Sequence, residues 1–219
     1  MAQEERRATV WDLPIRLFHW LLVVLIAAAW ATQERLDDSE RHAIVGYLIL
    51  SLLLFRLFWG VLGSDTVRFS SFIHGPARVW AYVRGSGGVS VGLGHNPLGG
   101  YSVAAMLALI GLQTGTGLFL YDDEMFWGPL NGWVSEETAE WLSDLHELGF
   151  NLLLGLILLH VGAVLFYAVA RRRNLLGPML NGRAPLPEGV AAPRIASSAL
   201  ALLLFGVAAA LVWALVTYA

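Results

Sequence analysis

Five long apolar segments constrain the fold of this 219-residue chain more than any other feature. In chain order they cover about residues 13–32, 43–62, 99–120, 141–170 and 194–218. A helix needs roughly 20 such residues to cross a bilayer core of about 30 Å. Only 14% of the residues are charged, whereas a soluble domain carries about 25%. The sequence therefore predicts an all-α membrane protein with five transmembrane helices.

The fourth of these helices is predicted to begin before its apolar run. Ser135 is a suitable N-cap, and Glu136 and Glu137 would place negative charge in the first turn, where the helix dipole favours it. We therefore expect one helix over about 136–170 that protrudes from the membrane where it begins. The first apolar segment resembles a signal peptide, but its leading region is long and acidic, so we expect it to stay as a span.

Arginine residues lie mostly on one side of the predicted membrane. Ten of them flank that side: Arg6, Arg7, Arg68, Arg78, Arg84, Arg171, Arg172, Arg173, Arg183 and Arg194. Only Arg35 and Arg41 fall in the loops of the other side, while Arg16 and Arg56 lie inside spans, toward the basic side. Because basic loops stay in the cytoplasm, the N-terminus is predicted to be cytoplasmic and, after five spans, the C-terminus outside.

The opposite face is predicted to be strongly acidic. Twelve carboxylates lie there: Glu34, Asp37, Asp38, Glu40, Asp122, Asp123, Glu124, Glu136, Glu137, Glu140, Asp144 and Glu147. With the two arginines of that side, the formal charge is −10. Such a face attracts a basic protein and repels anions by electrostatic steering.

The chain contains no cysteine. Disulfides, thiolate-held iron–sulfur clusters and covalent haem attachment through C-x-x-C-H are therefore excluded within it. Any metal or cofactor must be held by histidine, carboxylate or methionine side chains without a covalent link.

Two histidines interrupt the fourth apolar segment. His146 and His160 are 14 residues apart, which is close to four helical turns, so they project from the same helix face about 21 Å apart. That distance is too long for one metal ion. It suits two cofactors, one toward each membrane surface.

Two further histidines lie at matching depths on other helices. His19 is in the cytoplasmic half of the first span, and His42 is at the outer start of the second. The depths predict the pairs His19 with His160 and His42 with His146. Paired imidazoles from facing helices hold b-type haem without a covalent bond, so the sequence predicts two haems b. The alternative is a haem-free transporter or scaffold in which these histidines relay protons.

Arg16 and Arg56 are candidate partners for haem propionates, because arginine suits carboxylates. Arg16 is one helical turn before His19, on the same face. The alternative is that both side chains simply extend to the membrane interface. His74 and His95 fall in the loop between the second and third spans, where we expect surface or loop-structuring roles.

The chain resembles the bacterial cytochrome b561 family and its relatives, the b-type cytochrome subunits of nickel–iron hydrogenases. The matching stretches are "RLFHW", "HAIVGY", "GHNPLGGYSVAAMLALIGLQTGTGLFLYDDE" and "DLHELGFNLLLGLILLHVG", and the resemblance covers roughly residues 9–183. It implies a four-helix di-haem core over 1–183 in a bacterial inner membrane. Residues 184–219 then form a linker and an additional transmembrane helix for packing or assembly.

The resemblance also implies transfer of electrons between the quinone pool and a redox partner. The acidic outer face favours a basic c-type cytochrome as that partner. Two alternatives remain open: a superoxide:quinone oxidoreductase, disfavoured because this face repels superoxide, and the cytochrome b anchor of a hydrogenase or dehydrogenase. Membrane lipid and quinone are expected ligands, a homodimer is one possible arrangement, and no nucleic acid is expected.

Overall fold

The computed structural model describes residues 6–85, 93–122 and 126–219. Its helices are α1 (Leu13–Glu34), α2 (Ser39–Leu62), α3 (Phe69–Phe72), α4 (Pro76–Val83), α5 (Pro97–Gly117), α6 (Glu136–Val169), α7 (Leu176–Asn181) and α8 (Ser198–Tyr218). Its short strands are β1 (Arg7–Thr9), β2 (Tyr121–Asp122), β3 (Phe126–Trp127) and β4 (Arg183–Pro185). The prediction of an all-α membrane protein is confirmed, since α1, α2, α5, α6 and α8 are each long and apolar enough to cross a membrane.

Local sequence signals set where these helices begin. The Asp12 side chain accepts a hydrogen bond from the backbone N–H of Ile15 at 2.8 Å and so caps α1. The Ser135 hydroxyl caps α6 in the same way, by accepting from the N–H of Thr138. Both caps satisfy an N–H that has no partner within the first helical turn. The predicted early start of the fourth spanning helix is confirmed at Glu136.

The spanning helices pack as two adjacent pairs. α1 runs along α2, α5 runs along α6, and α2 also packs on α5 and α8. Within the described residues, the backbone of α6 makes at most marginal contact with the backbones of α1 and α2. The face of α6 that is turned toward α1 and α2 is therefore separated from them by a gap that side chains alone cross.

We call the two ends of the bundle the basic end and the acidic end. The basic end comprises residues 6–12, 63–85, 93–96 and 170–197, and the acidic end comprises the connections 35–38 and 118–135. Asp123 and Glu124, which the sequence assigns to the acidic face, lie outside the described residues.

The basic end has a tightly packed core of its own. Trp59 and Val67 are completely buried, and Phe72 is nearly so. The indole Nε1 of Trp59 donates to Oδ2 of Asp12 at 3.1 Å, so the residue that caps α1 also binds α2. This core fixes the start of α1 relative to the end of α2.

Distant parts of the chain meet at the same end. β1 pairs antiparallel with β4, with Ala8 opposite Ala184. The backbone N–H of Ala196 donates to the hydroxyl of Ser64 at 2.9 Å. These contacts join the N-terminal strand to β4, and the segment before α8 to the residues after α2.

The C-terminal helix α8 lies against α2. Its buried residues are small or medium-sized, namely Ala201, Ala208 and Val212. Phe205 packs edge-on against Phe55 of α2, with ring centroids 6.1 Å apart. Small residues allow two helices to approach closely in a bilayer, where dispersion contacts replace the hydrophobic effect as the main attraction.

Candidate cofactor-binding site

The first histidine pair lies toward the basic end, where α1 faces α6. The rings of His19 and His160 have centroids 6.5 Å apart and planes inclined by 53°. The Nδ1 atom of His19 is buried and has no hydrogen-bond partner among the described residues. The two imidazole rings therefore lie in the gap between α1 and α6, whose backbones make at most marginal contact.

The second pair lies toward the acidic end, where α2 faces α6. The rings of His42 and His146 have centroids 6.1 Å apart and planes inclined by 71°. Nδ1 of His42 lies 2.9 Å from the carbonyl oxygen of Ala29 on α1. Because a carbonyl can only accept, this nitrogen carries the proton, and Nε2 keeps an unprotonated lone pair that can bind a metal.

His146 has a similar second contact. Its Nδ1 lies 2.9 Å from the hydroxyl oxygen of Thr116 on α5. A histidine that ligates a metal through one ring nitrogen usually donates a hydrogen bond through the other. Both histidines of this pair meet that condition.

A cavity of about 710 Å³ surrounds the second pair. Its size is within the roughly 300–1,000 Å³ typical of ligand and cofactor sites. Apolar side chains of α1, α2, α5 and α6 line it together with the two histidines, and carboxylates of Glu34, Asp37 and Glu147 also border it. The cavity thus combines two histidine side chains with an acidic border.

Glycines allow α5 and α6 to approach each other beside this cavity. A Cβ atom at Gly149 would lie 2.8 Å from Oε1 of Gln113, and one at Gly117 would lie 3.3 Å from Cε1 of His146. The first contact would make the end of the Gln113 side chain move, and the second would displace the imidazole ring by a few tenths of an ångström. The position of His146 therefore depends on the absence of a side chain at 117.

Both pairs fit a metal held between two axial imidazoles. Imidazole nitrogen binds a metal ion at about 2 Å, so two such bonds in line, with roughly 1 Å from each nitrogen to its ring centre, need centroids about 6 Å apart. The observed distances of 6.5 and 6.1 Å agree with this. Among the described residues, no group of three or more His, Asp or Glu is arranged to hold a bare metal ion. Two imidazoles at this distance fit a metal that a macrocycle carries, because such a metal needs only two ligands from the protein.

The two candidate arginines have different surroundings. Nη1 of Arg16 donates to the carbonyl oxygen of Leu180 at the end of α7, at 2.6 Å, although its Nε is buried without a described partner. Arg56 is 2% exposed; its Nη2 donates to the Val67 carbonyl, and its Nη1 has no partner in the described structure. Each guanidinium therefore keeps one buried N–H-bearing nitrogen that is suited to an anion.

His95, in the loop before α5, packs among aromatic side chains of the basic end. Its ring packs between Trp11 and Phe72, with centroids 4.8 Å from each. Burial, and to a lesser degree the positive charges of Arg56 and His160, lower the pKa of His95 to about 4. It lies close enough to the basic-end pair to interact with it electrostatically. The backbone carbonyl of His74 accepts from the hydroxyl of Tyr101.

A helical membrane bundle with two half-buried histidine pairs, one near each end, is an arrangement typical of proteins that hold a metallocofactor without a covalent bond. The model of the family described as prokaryotic cytochrome b561 matches residues 10–182, and the chain belongs to this family. Family membership implies binding of haem b and electron transfer in a membrane. Comparisons with curated proteins and with solved structures gave no match.

Proposed function

We propose that this protein is a transmembrane electron-transfer cytochrome with two haems b. His19 and His160 would hold one haem, and His42 and His146 would hold the other. When bound, the haem iron takes up and releases single electrons. The spacing of His146 and His160 along α6, about 21 Å, would set the two redox centres at different membrane depths.

Two histidine pairs support the proposal most directly. In each pair the two rings face each other across the gap beside α6, at the distance expected when both imidazoles bind one iron. Neutral histidine is rare in a bilayer because its polar nitrogens need partners. A single pair could be a hydrogen-bonded contact between helices. Two pairs that share one helix face and have ring distances of 6.5 and 6.1 Å are better explained by two axially ligated cofactors.

The charged groups beside the two histidine pairs differ in sign. At the basic end, the unpaired Nη1 of Arg56 is suited to a haem propionate, with the Nε of Arg16 as a second donor. At the acidic end, the cavity is bordered by Glu34, Asp37 and Glu147. These carboxylates favour a positively charged partner at its mouth.

We further propose that electrons pass between the quinone pool and a basic c-type cytochrome, in a bacterial inner membrane with the basic end in the cytoplasm. The positive-inside rule supports the orientation, and the acidic end supports the choice of partner. Superoxide, an anion, is disfavoured as the electron donor at that face.

Haem content tests the proposal. The purified protein is expected to show a reducible b-type absorption spectrum and about two haems per chain by pyridine haemochrome assay. His160→Ala and His146→Ala should each lose one haem and keep the other, because each removes an axial ligand from one pair. His74→Ala is the matched control, since it removes a histidine outside both pairs, and it should retain two.

Two results would contradict the proposal. A folded protein that binds no haem during expression with a sufficient haem supply would favour the haem-free transporter or scaffold. Retention of two haems in both His160→Ala and His146→Ala would refute the assigned pairs.

A further inference from the structure

Thr116 makes hydrogen bonds that connect the ligand pair of the acidic end to α5. It lies in the last turns of α5 and is 5% exposed. Its hydroxyl lies 2.8 Å from the carbonyl oxygen of Leu112 and 3.2 Å from that of Gln113. On its other side is Nδ1 of His146, at 2.9 Å.

These contacts determine which ring nitrogen of His146 carries the proton. A hydroxyl has one hydrogen and two lone pairs, and a carbonyl can only accept. All the contacts are satisfied when the hydroxyl donates to a carbonyl of its own helix and accepts from Nδ1–H of His146. Nε2 then carries no proton and is the atom available to a metal.

We infer that Thr116 is a positioning residue for the axial ligand His146 and lowers the reduction potential of the haem at the acidic end. The inference rests on the proposed function, because it assumes that His146 binds haem iron. An acceptor at Nδ1–H increases the basicity of Nε2. A more basic ligand stabilises ferric iron more than ferrous iron, and second-shell hydrogen bonding is an established means of tuning such potentials.

The effect should be confined to one of the two haems. His19, in the pair at the basic end, has a buried Nδ1 with no partner in the described structure, so no equivalent bond from a side chain is found there. Gly117, the residue after Thr116, leaves room for the His146 ring, because a Cβ at that position would lie 3.3 Å from Cε1. The hydrogen bond with Thr116 is therefore a polar contact by which α5 orients this imidazole.

Redox titration of the full-length protein tests this role. Thr116→Val replaces the hydroxyl by a methyl group of similar shape and should shift the potential of one haem upward while the other stays unchanged. Thr116→Ser restores the hydroxyl and should return the potential toward the wild-type value. Ser51→Ala is the matched control, because the Ser51 hydroxyl is also buried and bonded to a carbonyl of its own helix, that of Tyr47. It should shift neither potential.

Single-haem backgrounds assign the shift to one site. Thr116→Val should raise the potential in His160→Ala, which keeps the acidic-end haem, and leave it unchanged in His146→Ala. If Thr116→Val loses the acidic-end haem altogether while Thr116→Ser keeps it, the inference is also supported, because the two variants differ in the hydroxyl.

Three results would overturn the inference. The first is that Thr116→Val keeps both haems and both reduction potentials are unchanged, which would leave the proposed function intact. The second is an equal shift in Thr116→Val and Thr116→Ser, which would indicate packing and not the hydrogen bond. The third is a wild-type protein without haem, which would remove the proposed function as well.

Discussion

At the scale of single residues, His95 shows how the loops at the basic end create a buried polar site. Its ring lies between Trp11, before α1, and Phe72, at the end of α3. Burial, together with the nearby positive charge of Arg56, keeps the pKa of His95 at about 4. The imidazole is therefore neutral at physiological pH, and its protonation opposes folding.

This gives a pH-dependent stability. The pKa of His95 is about 4 in the folded state against 6.5 for an ordinary histidine. As the pH falls below 6.5, the unfolded state takes up the proton first, so the free energy of unfolding decreases down to about pH 4. The total loss from this group is about 3 kcal/mol. Thermal unfolding followed by tryptophan fluorescence should show a smaller loss of Tm on acidification in His95→Phe than in the wild type.

The control is His74→Phe, which removes a histidine outside this aromatic cluster. Equal acid sensitivity in wild type and His95→Phe would show that other groups cause the loss of stability.

Sequence reasoning could predict some of these residues and not others. His146 and His160 share a helix face because of their spacing alone, and depth along the chain was enough to suggest the partners His19 and His42. Thr116 and His95 could not be found in this way. Each acquires its role from a contact with a residue far away in the chain, Thr116 with His146 and His95 with Trp11. No local periodicity encodes such contacts.

At the scale of helices, the sequence predicts helix lengths and ends, but it does not predict which side of a helix packs against its neighbours. Apolar length and capping residues give the bounds of α1 and α6 to within a few residues. In a bilayer, however, the lipid-facing side of a helix is as apolar as its packed side, so amphipathic patterning gives little information. The packing of α8 against α2 is an example, because nothing in its uniformly apolar sequence identifies the buried side.

Substitutions at two alanines of α8, one buried and one exposed, test which side of this helix packs against α2. Ala208 is completely buried, whereas Ala210 is exposed. Ala208→Leu should force α8 away from α2 and destabilise the protein by about 1–3 kcal/mol, the usual cost of overpacking. Ala210→Leu should have little effect, because its side chain points to lipid. Thermal unfolding in detergent micelles measures both, and a larger loss for Ala210→Leu would mean that the opposite face is packed.

At the scale of the whole molecule, charge is divided between the ends. The acidic-end cavity is bordered by Glu34, Asp37 and Glu147, whereas the arginines cluster at the basic end. A charge distribution of this kind accelerates the encounter with an oppositely charged protein and loses its effect as salt screens it.

Electron transfer to a basic c-type cytochrome should therefore depend on salt. With the protein in nanodiscs of neutral lipid, the second-order rate should fall by about tenfold or more as the Debye length shortens from about 30 Å at 0.01 M salt to about 8 Å at 0.15 M. Glu34→Gln combined with Asp37→Asn should lower the rate at low salt and weaken its salt dependence. Stopped-flow absorbance measures these rates.

Glu188→Gln is the control, because it removes an exposed carboxylate at the basic end. A rate that does not depend on salt would exclude the acidic end as the docking surface for such a partner.

The pairing of β1 with β4 has a consequence for biosynthesis. Residues 7–9 leave the ribosome early, but their partners at 183–185 are made only after four spanning helices. At about 5–20 residues per second, the delay is roughly ten seconds or more. The basic end therefore cannot close while the first four spanning helices enter the membrane, and its completion must await the synthesis of β4.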